Sequence, residues 1–170
     1  MDEAHTRLLC FDRDGQILFE VQNPSDNGES VLYIDDFTLD GSDLYLSASE
    51  WNGMLLDREV ILRYDGSGVF LQKLAELDYR EEAERTNKHR IYGLCVDGRA
   101  LIWAECRSEE ILLHRLTLDE TSGEDALTRL AYPNAFNAVS DLVFAGADPI
   151  VMDKKGTIVR YGGTHDWELL

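Results

Sequence analysis

The pattern running from Tyr33 to Tyr64 constrains this 170-residue chain most, because it returns twice before the last residue. Ile34–Leu39 is a short run closed by Asp40-Gly41, and Leu44-Tyr45-Leu46 follows as a second run of strand-forming residues. Asp-Gly between two such runs signals a hairpin, since glycine accepts the positive φ that a tight reversal needs. The arrangement recurs as Gly93–Val96, Asp97-Gly98 and Leu101–Trp103, and again as Asp141–Phe144, Ala145-Gly146 and Ile150–Met152. Gly41, Gly98 and Gly146 are thus 57 and 48 residues apart.

The second half of each unit repeats as well. Val60–Tyr64, Asp65-Gly66 and Val69–Leu71 read as another hairpin. Ile111–Leu116 with Ala126–Leu130, and Thr157–Tyr161 with Asp166–Leu170, repeat the pair across a longer turn and across Gly162-Gly163. Leu8–Phe11, Asp12–Gly15 and Gln16–Val21 match this second half alone. The chain therefore reads as a strand pair over 7–21 followed by three whole units at about 30–77, 90–131 and 137–170.

Four short strands per unit, with a period near 50 residues, predict an all-β chain forming a partial β-propeller of four-stranded antiparallel blades. The reason is burial: one such sheet cannot cover both of its apolar faces, so sheets stack and neighbours supply the cover. The pattern Tyr33–Gly41, Leu44–Ser47, Val60–Gly66 resembles blades of the NHL, lactonase-like and quinoprotein-like propellers. The resemblance covers nearly the whole chain as apolar and glycine spacing, and it implies a fold more than an activity. Three and a half blades do not close a ring of the usual four to eight. The expectation is therefore a segment of a larger chain, or a homodimer whose two chains complete one propeller.

A net charge of −17 argues against binding a nucleic-acid backbone, which is driven by Lys and Arg. No stretch is long and apolar enough for a membrane helix, so no membrane insertion by this segment is expected. Cys10, Cys95 and Cys106 form no Cys-x-x-Cys, and the four histidines are scattered, which is neither a zinc site nor a disulfide framework. Cys10 and Cys95 sit in apolar strand patterns and are expected in the core. Asp12-Arg13-Asp14-Gly15 has its glycine too early for a calcium loop and reads as a turn. Unpaired cysteines lean toward a reducing compartment, whereas the resembling propellers imply an extracytoplasmic part of an envelope protein, the location favoured here.

Strand order sorts the connections. The tight turns fall between the first and second and between the third and fourth strands, on one side of each unit. The longer and more varied connections, 22–29, 47–58, 78–90 and 132–138, fall on the other side, where binding is expected. That side collects Trp51, Asn52, His89, Arg90, Tyr92, Asn134 and Asn137, an aromatic and amide-rich set suited to a small molecule, a glycan or a protein. Asp36 and Asp141 occupy equivalent positions at the start of the first strand, with Gly93 at that place in the middle unit. In the lactonase-like propellers that the chain resembles, acids near that position hold a divalent cation, so these two are the weak metal candidates. Glu50, Glu105 and Asp153 recur near second-strand ends and are expected on a solvated rim, and Trp103 and Trp167 are expected to pack between blades. No Ser/His/Asp or Cys/His arrangement has supporting context, so no nucleophile is assigned and no cofactor is required. The reading is a non-enzymatic ligand- or protein-binding or sensing module. The alternatives are a metal-dependent lactonase-type hydrolase and an architectural segment of an assembly.

Overall fold

The computed structural model describes residues 7–22, 24, 32–80, 90–107, 110–118, 125–132, 139–162 and 166–170. The protein is all-β, with no helix among the described residues. The strands are β1 (Arg7–Phe11), β2 (Ile17–Gln22), β3 (Tyr33–Asp40), β4 (Asp43–Asn52), β5 (Leu55–Tyr64), β6 (Phe70–Asp78) and β7 (Arg90–Asp97). They continue with β8 (Ala100–Cys106), β9 (Glu110–Thr117), β10 (Asp125–Ala131), β11 (Val139–Ala145), β12 (Asp148–Asp153), β13 (Ile158–Gly162) and β14 (Asp166–Leu169). They make one two-stranded sheet, β1-β2, and three four-stranded antiparallel sheets in sequence order, β3 to β6, β7 to β10 and β11 to β14. These sheets have the size and strand order of propeller blades. The chain divides into two compact units, Met1–Asn87 and Lys88–Leu170.

In the first unit, alternate residues of β4 and β5, Leu44, Leu46, Ala48, Val60, Leu62 and Tyr64, form one buried face. Val21 joins this cluster, with Leu8 and Phe19 packed against it, so the β1-β2 pair is the cover for that face. Burying a side chain of this size removes apolar area from water at roughly 25 cal/mol per Å², which makes the cluster a principal stabiliser of the unit. In the second unit the equivalent packing joins Ala104, Cys106, Ile111 and Leu130 to Leu142, Val151 and Val159 of the next sheet. Tyr132 Oη donates to the Arg107 carbonyl at 2.6 Å, and Trp167 Nε1 donates to the Ala131 carbonyl at 2.9 Å. Trp167 therefore ties β14 to the end of β10, as its expected role between sheets requires.

The first turn of each four-stranded sheet is a two-residue reversal whose glycine, Gly41, Gly98 or Gly146, has φ between 58° and 65°. The first strand of each of these sheets carries a bulge, between Ile34 and Asp36, Tyr92 and Leu94, and Val139 and Asp141; counted from the turns, the middle one lies one residue nearer its turn than the other two. A bulge leaves a main-chain group out of the ladder. Here Asp36 Oδ1 accepts from Phe37 N and Asp141 Oδ1 from Leu142 N, each at 2.8 Å.

A second turn is also repeated. In Asp12–Gln16, Asp65–Val69 and Asp153–Thr157, the aspartate Oδ1 accepts two backbone N–H groups, two and four residues on. The fourth residue is a glycine at φ 80°, 81° or 83°. Gly68, rather than the Gly66 of the expected Asp65-Gly66 turn, is the left-handed residue of the second copy. Asp65→Ala is expected to speed amide exchange at Ser67 and Val69, and Asp65→Asn to restore protection, because an amide oxygen can accept the same bonds. Unchanged exchange in the alanine variant would show that the side chain does not hold the turn.

Two expectations fail here. The connection from Ser47 to Arg58 is not a long loop: β4 runs through Asn52, β5 starts at Leu55, and only Gly53-Met54 separates them. The remaining connections between second and third strands are also short, and the other expected long connections, 22–29, 78–90 and 132–138, lie between sheets, with most of their residues outside the described set. Strand register is the cause. Asp57 is an extra residue opposite Glu50-Trp51, and this bulge lets the hairpin continue past the point where side-chain alternation breaks. Cys10 and Cys95 are half-buried rather than core residues, whereas Cys106 is buried. Burial and the nearby Asp97 push the Cys95 thiol up to about 11.

Candidate functional site

Two groups of side chains stand out, one in each unit. In the first unit, the end of the β4-β5 hairpin carries a charged network on one face. Arg58, directly opposite Glu50 in the ladder, is buried and pairs with Glu50 and with Glu76 of β6. Lys73 also pairs with Glu76, and Arg80 pairs with Asp78. Its hydrogen bonds from Arg80 hold the Asp78 carboxyl down at about 2. On the other face Trp51 Nε1 donates to Ser49 Oγ at 2.8 Å, so the indole lies against its own strand. Beyond it the tip is apolar and open: Met54 is 89% exposed and Leu55 is exposed beside it.

In the second unit, Glu105 of β8 is 2% exposed, so the expectation of a solvated rim is overturned for it and for the equally buried Asp153. Glu105 Oε1 accepts from Arg107 Nε at 2.7 Å, and Oε2 lies 3.1 Å from His114 Nε2 on β9. The His114 ring stacks on Trp103 with centroids 4.9 Å apart and planes 3° from parallel. Burial raises the Glu105 carboxyl, but the bonds from His114 and Arg107 outweigh it and leave the group below its ordinary value. Both carboxylate oxygens are engaged by the protein, which makes the group a clamp between β8 and β9 rather than an acid aimed at a substrate. Trp103 Nε1 and Ser47 Oγ are buried without a hydrogen-bond partner among the described residues. A buried donor left so costs about 1–3 kcal/mol.

The residues singled out from the sequence divide between the units. Trp51 and Asn52 end β4 in the first unit. Arg90 and Tyr92 begin β7 in the second, where the Arg90 guanidinium carbon lies 5.8 Å from the Tyr92 ring centroid. His89, Asn134 and Asn137 lie outside the described residues. Asp36 belongs to the first unit and Asp141 to the second, and each bonds the N–H of the next residue. No group of three His, Cys, Asp or Glu among the described residues could hold a metal ion.

The buried acid was missed although a signal existed. Glu105 interrupts the apolar run Leu101–Cys106, and the facing strand carries a lone histidine inside Ile111–Leu116. A charge inside a run buried on both faces needs a partner, and the ladder puts His114 opposite Trp103, two residues from Glu105 on the same face.

Fold and site together define an all-β protein of repeated four-stranded antiparallel sheets. No family model, curated protein or solved structure matches the chain.

Proposed function

We propose that the chain is a non-enzymatic, propeller-type binding module that recognises another protein through the tip of its β4-β5 hairpin. The carrying observation is the apolar tip: this is the longest hairpin among the described residues, with ten residues in each strand, and it ends in exposed Met54 and Leu55. A convex tip of flexible apolar side chains suits a protein groove, whereas small ligands favour concave sites. The salt-bridged base formed by Glu50, Arg58 and Glu76 stiffens the hairpin behind the tip. The metal-dependent hydrolase reading gains no support, because Asp36 and Asp141 each direct a carboxylate oxygen to their own backbone.

A photo-crosslinking amino acid placed at position 54 in the producing cells tests this. The expected result is one discrete protein adduct from position 54 and none from the exposed control position Lys154. Met54→Asp should abolish the adduct formed from position 55 while leaving the melting temperature within about 1 °C, since exposed substitutions rarely change stability by more than about 0.5 kcal/mol. Equal labelling from positions 54 and 154, or none, would overturn the proposal.

A further inference from the structure

Among the described residues the β1-β2 sheet has two strands where the other three sheets have four. Within the second unit, the β7 to β10 sheet shows what a complete sheet does for the next one. Its innermost strand crosses β11 at Gly93, so closely that a Cβ there would stand 3.0 Å from Leu142 Cδ2 and from the Leu142 carbonyl oxygen, and 3.1 Å from the Phe144 ring. Under this crossing Leu142 is 2% exposed and Phe144 is partly buried.

Counted from the first turn of each sheet, Phe37 and Leu39 of β3 are the equivalents of Leu142 and Phe144. They face the same way as Leu46 and Leu44, on the face that β1-β2 covers. Yet Phe37 is 48% and Leu39 53% exposed. The β1-β2 pair stands where β9-β10 stand in the complete sheet. Its strands pack over β4 and β5 of the next sheet, as Ile111 of β9 and Leu130 of β10 pack with Leu142, Val151 and Val159 of the sheet that follows them. Among the described residues β1 pairs only with β2, so its other edge, where a second strand would lie, is open.

We infer that this edge receives a β-hairpin from outside these 170 residues. One hairpin strand pairs antiparallel with β1, and the other crosses Phe37 and Leu39 as β7 crosses Leu142 and Phe144. Open strand edges are templates for such addition, with main-chain bonds providing affinity and alternate side chains providing specificity. The hairpin therefore has alternating apolar residues, a glycine or other small residue at the crossing, and basic residues at its polar positions. The basic requirement follows from the net charge of −17, which favours a partner of opposite sign. A second copy fits poorly. It brings the same charge, and its inner hairpins β3-β4, β7-β8 and β11-β12 are all committed to their own sheets.

The protein's own β7-β8 sequence, residues 90–107, is a suitable probe, both as a free peptide and fused ahead of Arg7 through a short turn. With the peptide at millimolar concentration, amide exchange across residues 7–11 and 33–40 is expected to slow at least tenfold, with 139–145 unchanged. The fusion should melt at least about 5 °C higher than the parent chain. Phe37→Asp and Leu39→Asp, at half-exposed positions, should leave the parent's melting temperature within about 2 °C and cancel both effects. Unprotected β1 amides together with an unshifted fusion would overturn the inference. So would a concentration-dependent dimer of the parent chain with β1 protected, which would make a second copy the occupant.

Discussion

Gly93→Ala is expected to cost the second unit about 3 kcal/mol, and Gly98→Ala only about 1 kcal/mol. Both glycines have φ +62°, so both substitutions pay the left-handed penalty of roughly 1–2 kcal/mol for a residue bearing a Cβ. Only Gly93 adds a collision. Its Cβ would meet the Leu142 carbonyl oxygen at 3.0 Å, whereas a Cβ at Gly98 meets nothing within 4 Å. A backbone oxygen cannot swing aside as a side chain can, and forcing extra volume into packed structure costs about 1–3 kcal/mol. Urea melts of the two variants check this directly, because their difference isolates the crossing of β7 over β11. Equal losses would mean that the strands separate at little cost.

Glu105→Ala should destabilise the protein by about 3 kcal/mol at pH 7, since removing one partner of a buried ion pair typically costs 3–5 kcal/mol. The lower end is expected because the Arg107 side chain is 39% exposed and part of its charge is screened by water. The sign of the pH dependence follows from the depressed carboxyl. Its contribution is fully present above the ordinary carboxylate pKa of about 4.3 and is lost as pH falls through the lower folded-state value. The stability gap between wild type and Glu105→Gln should therefore narrow below about pH 4, where the carboxyl takes up its proton. Chemical denaturation between pH 2.5 and 7 measures it. A gap that does not change with pH would show that the carboxylate charge contributes nothing.

Much of the fold was legible because strands and tight turns are local. Apolar runs separated by Asp40-Gly41, Asp97-Gly98 and Ala145-Gly146 specify hairpins through the conformational freedom of one glycine each. Repetition of that signal then specifies sheets that need neighbours. The β4-β5 hairpin was hidden because Ser47–Arg58 mixes polar residues with Trp51 and includes a bulge at Asp57, which breaks the alternation by which a strand is recognised. Glu105 was misplaced for a different reason. An acid near a strand end is solvated or buried according to what lies against it, and Glu105 becomes tolerable inside only because His114 and Arg107 come within hydrogen-bonding reach.

The sequence by itself determined an all-β chain, the order of its strands, the first turn of each four-stranded sheet and the count of one two-stranded and three four-stranded sheets, because all of these follow from periodicity and backbone preference over a few residues. Tertiary structure alone decided which faces are covered. Phe37 and Leu142 occupy equivalent places in equivalent strands, yet one is open and the other sealed. Burial belongs to the neighbour across the interface, and for Leu142 that neighbour is an inner strand whose Gly93 lets two backbones meet.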